Sequence, residues 1–158
     1  MVLFLILNMS IIDNITDIQS ISSKRIRQNI SPDGFTYLDR GNSRIIFTID
    51  NFEYKGKVLK VARRNHDKGL NKKEAKIYEN VIGHPLEEYF CPVVDYDNNG
   101  EWLIMEYART TNNTAVVNEI KSKLEEYDIY PEDVNRNNVG IYNGNPVLID
   151  YAWIPKIK

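Results

Sequence analysis

The stretch that most constrains the fold is Tyr130 to Trp153, which reads YPEDVNRNNVGIYNGNPVLIDYAW. Val139–Tyr142 is mostly apolar, Asn143-Gly144-Asn145-Pro146 is turn chemistry, and Val147–Ile149 is a short apolar run. Together they predict a β-hairpin. A hairpin brings the loop before its first strand next to the residue after its second strand. Asp133, Asn138 and Asp150 are therefore expected to converge on one spot. Two carboxylates and an amide oxygen are hard ligands, suited to a Mg²⁺ ion that phosphates also hold. Read singly, Asp133 and Asn138 are ordinary loop residues and Asp150 caps a strand.

The rest of the chain bounds what such a cluster serves. At 158 residues it fits one domain with a real core, and its 42% hydrophobic and 27% charged residues are ordinary for a globular protein. A net charge of −2 makes no electrostatic case for nucleic acid or an anionic membrane. The single cysteine, Cys91, excludes an internal disulfide and a cysteine zinc cluster, and a reducing cytoplasm fits best. His66 and His84 have no neighbour at ligand spacing and read as solvated or loop residues. Val2–Leu7 is apolar but far short of the roughly 20 residues of a membrane helix. It has neither a basic flank nor a signal-cleavage site, and Met9 is an alternative start.

In chain order, isoleucines at 11, 12, 15, 18 and 21 predict an amphipathic helix that Ser10 and Asp13 would cap. It would pack on the outside of the domain or serve as a partner surface. Phe35–Leu38, Arg44–Ile49 and Lys57–Ala62 then predict a three-stranded antiparallel meander. In the third strand Val58, Lys60 and Ala62 share one face by the period of two, and taken alone Lys60 reads as solvated. Asn71–Val81 predicts a helix with Asn71 as N-cap and Leu70, Glu74, Ile77, Tyr78 and Val81 on or near one face. A glutamate there calls for a cationic partner. Cys91–Asp95 and Trp102–Tyr107 predict a further hairpin, Arg109–Asn113 a polar linker, and Thr114–Tyr127 a second helix with Val116, Val117, Ile120 and Leu124 inward.

Three strands, a helix, two strands, a linker, a helix, then a loop and hairpin resembles the element order of the protein-kinase-like fold. The resemblance covers roughly Tyr37 to Trp153. Gly41-Asn42-Ser43-Arg44 is similar to an abbreviated glycine-rich loop, Lys60 in VLKVA to the lysine of the V-A-I-K strand, and Glu74 to its helix partner. Met105 lies where a gatekeeper would be, and Glu106-Tyr107-Ala108 resembles the hinge that holds adenine through backbone groups. Asp133 to Asn138 keeps the D-x-x-x-x-N spacing of the catalytic loop, and Asp150-Tyr151-Ala152 resembles the metal-binding D-F-G. Short, C-lobe-truncated kinase-like proteins of phages look especially similar.

The resemblance implies an α+β fold: a 1–34 extension with its amphipathic helix, a five-stranded antiparallel N-lobe with one helix over 35–108, and a truncated C-lobe over 109–158. It implies ATP and Mg²⁺ as cofactors, with Lys60 on the phosphates, Glu74 holding Lys60, and Asn138 and Asp150 on the metal. Asp133 would take the proton of an acceptor hydroxyl. Gly41, Ser43, Met105, Glu106 and Ala108 would contact the nucleotide.

The chain also departs from the family pattern. The loop has one glycine, Gly41, where two or three are usual. Pro131, Asn135 and Ala152 stand where the family has histidine, lysine or histidine, and glycine. The sequence ends eight residues after Asp150, without an activation loop or A-P-E motif. Two functional readings follow: a minimal ATP-dependent phosphotransferase, or an inactive kinase-fold (pseudokinase) module that binds a host or partner protein. A third takes the matches as incidental in a structural protein. Dimerisation through the first helix would supply missing mass.

Overall fold

The computed structural model describes residues 34–50, 53–130, 134–155 and 157. The helix expected over Ile11–Ile21 and the candidate base Asp133 lie outside them. Strands β1 (Phe35–Arg40), β2 (Arg44–Ile49) and β3 (Val58–Ala62) form the meander, helix α1 (Lys68–Val81) follows, and β4 (Val93–Tyr96) and β5 (Trp102–Met105) complete the first sheet. Its order is β1-β2-β3-β5-β4, with every neighbouring pair antiparallel. The architecture is thus α+β around a five-stranded antiparallel sheet, as the element order predicts.

Alternation along the strands divides the sheet into two chemically different faces. Phe47 pairs with Leu59 and Leu59 with Ile104, placing these residues on one face with Phe35, Ile45, Ile49 and Val61. On the opposite face Ile46 pairs with Lys60 and Lys60 with Leu103. That second face meets α1, whose buried positions Asn71, Glu74, Ala75, Ile77 and Val81 recur at helical spacing.

Several boundaries differ from those expected, for identifiable reasons. β1 runs on to Arg40 because a bulge between Tyr37 and Asp39 restores its pairing with β2. Helix α1 begins at Lys68, so Asn71 is not an N-cap. Its side-chain amide instead donates to the Lys60 and Gly100 carbonyls at 3.4 and 3.0 Å. Gly100 allows this approach: its φ is +82°, and a Cβ there would lie 2.2 Å from the Lys68 carbonyl oxygen.

The remaining elements are β6 (Arg109–Thr110), α2 (Thr114–Glu125), β7 (Val139–Tyr142) and β8 (Asn145–Leu148), with β6-β7-β8 forming a second sheet. The polar linker expected over Arg109–Asn113 therefore contributes a short strand, and Asn113 caps α2 by accepting from the Ala115 amide at 2.9 Å. The β7–β8 turn is a two-residue one, with Asn143 and Gly144 at φ of 49° and 85°. Asn145 and Pro146 consequently enter the strand instead of the turn. Proline is tolerated there because Pro146 faces only β7 within the sheet, on its edge strand.

One apolar core crosses from the first sheet into the second, joining Ala75, Ile77 and Val81 of α1 to Ile120 and Leu124 of α2 and to Val139, Val147 and Leu148 of the hairpin. No helix among the described residues is long and apolar enough to cross a membrane.

Candidate functional site

Between the two sheets lies a cleft of about 290 Å³. Its roof is the inward face of the first sheet (Leu38, Ile46, Val58), its back wall is Met105–Ala108, and its floor includes Ile149 and Asp150. The back wall is the single crossing between β5 and β6, so these residues join the two sheets. Gly140 lets β7 approach them closely. A Cβ at that position would stand 3.0 Å from the Ala108 Cβ and 3.1 Å from the Arg109 carbonyl oxygen. Glu106 turns its carboxylate to Lys57 at 2.6 Å, while its carbonyl accepts from the Cys91 thiol at 3.2 Å.

At one end of the cleft four charged side chains from four parts of the chain interlock. Lys60 Nζ donates to Glu74 Oε2 at 3.0 Å and also to the Ile149 carbonyl. Arg44 Nη1 donates to the same Glu74 oxygen and to Asn71 Oδ1 at 3.2 Å, and Nη2 reaches Asp150 Oδ1 at 2.8 Å. The second Glu74 oxygen accepts the Tyr151 amide at 3.0 Å. Glu74 thereby ties α1 to β2, to β3 and to the segment after β8. Its side chain is fully buried, and Lys60 and Arg44 are nearly so. Burial without water makes each charge depend on its neighbours, because isolated ions desolvate at several kcal/mol each.

The same geometry sets the protonation states. Burial works against the charge on Arg44, but Glu74 and Asp150 overcome it and hold the guanidinium protonated well above its ordinary range. For Lys60, burial lowers the pKa, opposed by Glu74 and reinforced by the Arg44 charge. For Asp150, burial pushes upward, yet Arg44 and Lys60 bring its carboxyl below the ordinary aspartate value. Cys91, beside the back wall, is pushed up to about 12 by burial and stays a thiol.

The residues named from sequence fall into three groups. Lys60, Glu74 and Asp150 meet at the charged end, and Met105, Glu106 and Ala108 form the back wall. Lys60 is 4% exposed, so its solvated reading fails: an inward Glu74 and a strand-end carbonyl replace its water. Asn138 sits beside Asp150 through its carbonyl, which accepts the Ile149 amide at 2.8 Å, but it is Asn137 that lines the cleft. Gly41 and Ser43 do not line it either. Their turn is clipped sideways, with Arg63 Nη1 donating to the Gly41 and Asn42 carbonyls at 3.2 and 2.8 Å. The Arg63 amide also donates to Ser43 O at 3.0 Å.

Arg44 is the residue that sequence reading missed as a site residue, since it stood there only as the end of the turn and the start of the second strand. The signal lay in the pattern: Arg44, Ile46 and Thr48 share a face by the period of two, and Ile46 opposes Lys60.

Among the described residues there is no group of three or more His, Cys, Asp or Glu side chains arranged to hold a metal ion. Of the two described residues expected to ligate Mg²⁺, Asp150 is engaged by Arg44 and Asn138 lies off the cleft lining. Asp150, the described carboxylate of that set, is thus already paired with a cation. No protein-family model and no curated protein matches this chain.

Proposed function

We propose that this chain is a kinase-like, nucleotide-binding protein whose cleft takes an ATP-type nucleotide. The observation that carries the reading is the make-up of the cleft, whose lining combines apolar side chains (Leu38, Ile46, Val58, Met105 and Ile149) with the charged Arg44, Lys60 and Asp150. A purine base is a flat apolar body with hydrogen-bonding edges, suited to a slot between strand side chains and a backbone wall. Its phosphates need cations. Lys60 has three donors, and Glu74 and Ile149 engage two, so one remains for an anion on the cleft side.

In the phosphotransferase form of this reading, Asp133 receives the proton of an acceptor hydroxyl as the γ-phosphate leaves the nucleotide. Its place in the sequence, five residues before Asn138, supports that role. The inactive-module form is favoured by the Arg44–Asp150 ion pair, which engages the carboxylate that resembles a kinase metal ligand. Thermal unfolding with and without ATP tests the shared claim. ATP is expected to raise the melting temperature of the wild-type chain and to leave Lys60→Ala unmoved. A wild-type chain that ATP, ADP and GTP all leave unmoved would reject the reading. Transfer of labelled phosphate to an acceptor, lost in Asp133→Ala while ATP binding persists, would select the phosphotransferase form.

A further inference from the structure

We infer that Arg44 is the site's built-in counter-cation, so that the cleft binds nucleotide phosphates without a divalent metal. This rests on the nucleotide-cleft reading above and deepens it. Three observations lead to it.

Arg44 lines the cleft, and its Nη2 lies 2.8 Å from Asp150, the carboxylate that a phosphate-bound metal would need. A divalent ion at Asp150 would displace a guanidinium that is already there, or share the carboxylate with it at close range. Either outcome sets a second cation beside the nearly buried Arg44 guanidinium, whose charge solvent screens poorly.

Arg44 is also held in place. Its Nη1 is engaged by Asn71 and Glu74, its side chain is only 6% exposed, and its strand begins at a turn clipped by Arg63 and Arg64. Swinging out would leave Glu74 with Lys60 as its one cationic partner and Asn71 without its donor. The guanidinium carries five donors, and the bonds to Asn71, Glu74 and Asp150 leave some for a phosphate oxygen.

Charge balance sets what a phosphate must compete with. The two cations Arg44 and Lys60 stand against Glu74 and Asp150, so the cluster is neutral before a ligand arrives. An incoming phosphate competes with Asp150 for Arg44. Asp150 therefore restrains phosphate binding and does not anchor a metal, the reverse of the role its D-F-G resemblance implies.

Isothermal titration of the full chain with ATP, in EDTA and then in excess Mg²⁺, tests this. The dissociation constants are expected to agree within about threefold, and a loss of more than about tenfold in EDTA would overturn the proposal while leaving the nucleotide reading intact. Asp150→Asn, which retains an acceptor for Arg44, is expected to bind ATP in EDTA as tightly as wild type or several-fold more tightly. A loss of about tenfold or more in that variant in EDTA would overturn the proposal by showing that Asp150 supports phosphate binding and does not restrain it, and a loss of that size confined to Mg²⁺ would overturn it by restoring the metal-ligand role. If no nucleotide binds the wild-type chain under either condition, the nucleotide reading falls and this proposal falls with it. The wild-type chain and the single variant Asp150→Asn both keep the buried cation, so the test does not depend on the folding of a chain that lacks Arg44.

Discussion

At its apolar end the cleft is walled by Leu38, Ile46, Val58, Met105 and Ile149, whereas at its charged end Arg44, Lys60, Glu74 and Asp150 bind one another directly. The first set makes non-directional contacts, and each side chain contributes through the area it removes from water. The second set is directional and mutually dependent, because Arg44, Lys60 and Glu74 are buried partners of one another and Asp150, partly open to solvent, pairs with Arg44. The apolar end is therefore expected to absorb small changes locally. The charged end is expected to fail as a unit.

The largest expected effect sharpens that contrast. Glu74→Ala removes the acceptor shared by Arg44, Lys60 and the Tyr151 amide, and should lower stability by about 3–5 kcal/mol, measured by chemical denaturation. Ile46→Val, on the strand of Arg44 and opposite Lys60, should cost about 0.5–1.5 kcal/mol in the same measurement. Equal losses would mean that the four charges act independently. A middle-sized effect is expected where the two sheets meet. Gly140→Ala would press on Ala108 and Arg109, and should cost about 1–3 kcal/mol while weakening nucleotide binding through the displaced back wall. A destabilised variant with unchanged ATP affinity would show that the back wall is not part of the binding surface.

The smallest effect is that of pH on the Arg44–Asp150 pair. The Asp150 carboxyl is held below its ordinary value, so the unfolded chain binds its proton more readily than the folded one. The stabilisation is then fully present above the ordinary aspartate range, near pH 4, and is lost as pH falls through the lowered value. The stability difference between wild type and Asp150→Asn should stay flat from about pH 5 to 7 and shrink below about pH 4. It should be modest, because 45% of the Asp150 side chain is open to solvent. A difference growing toward acid would reverse the assigned sign.

Much of the frame was legible because it depends on local pattern. The period of two placed β2 and β3, and helical spacing placed α1 and α2. The apolar runs flanking Asn143-Gly144 placed the last hairpin. That Glu74 needs a cationic partner was legible too, because it sits on an apolar helix face, but Lys60 as that partner was implied only by the resemblance to the kinase-like fold. β6 was not, since two residues carry no periodicity and Arg109–Thr110 is a strand only through its pairing with β7. Asn71 was misread as a cap because a cap and a buried amide are the same residue type near a helix start, and only its distance to Gly100 separates them.

By itself, then, the sequence determined the alternation and helical periods, the turns, and the place of Glu74 on the apolar side of its helix, whereas Lys60 read from pattern alone as solvated. Tertiary structure alone decided what Arg44 does. Its first-strand-residue position is compatible with full solvation, and its partners are Glu74, thirty residues later, and Asp150 near the far end of the chain. Coulomb attraction and desolvation act through distances in space, and those exist only once the two sheets have closed around the cleft.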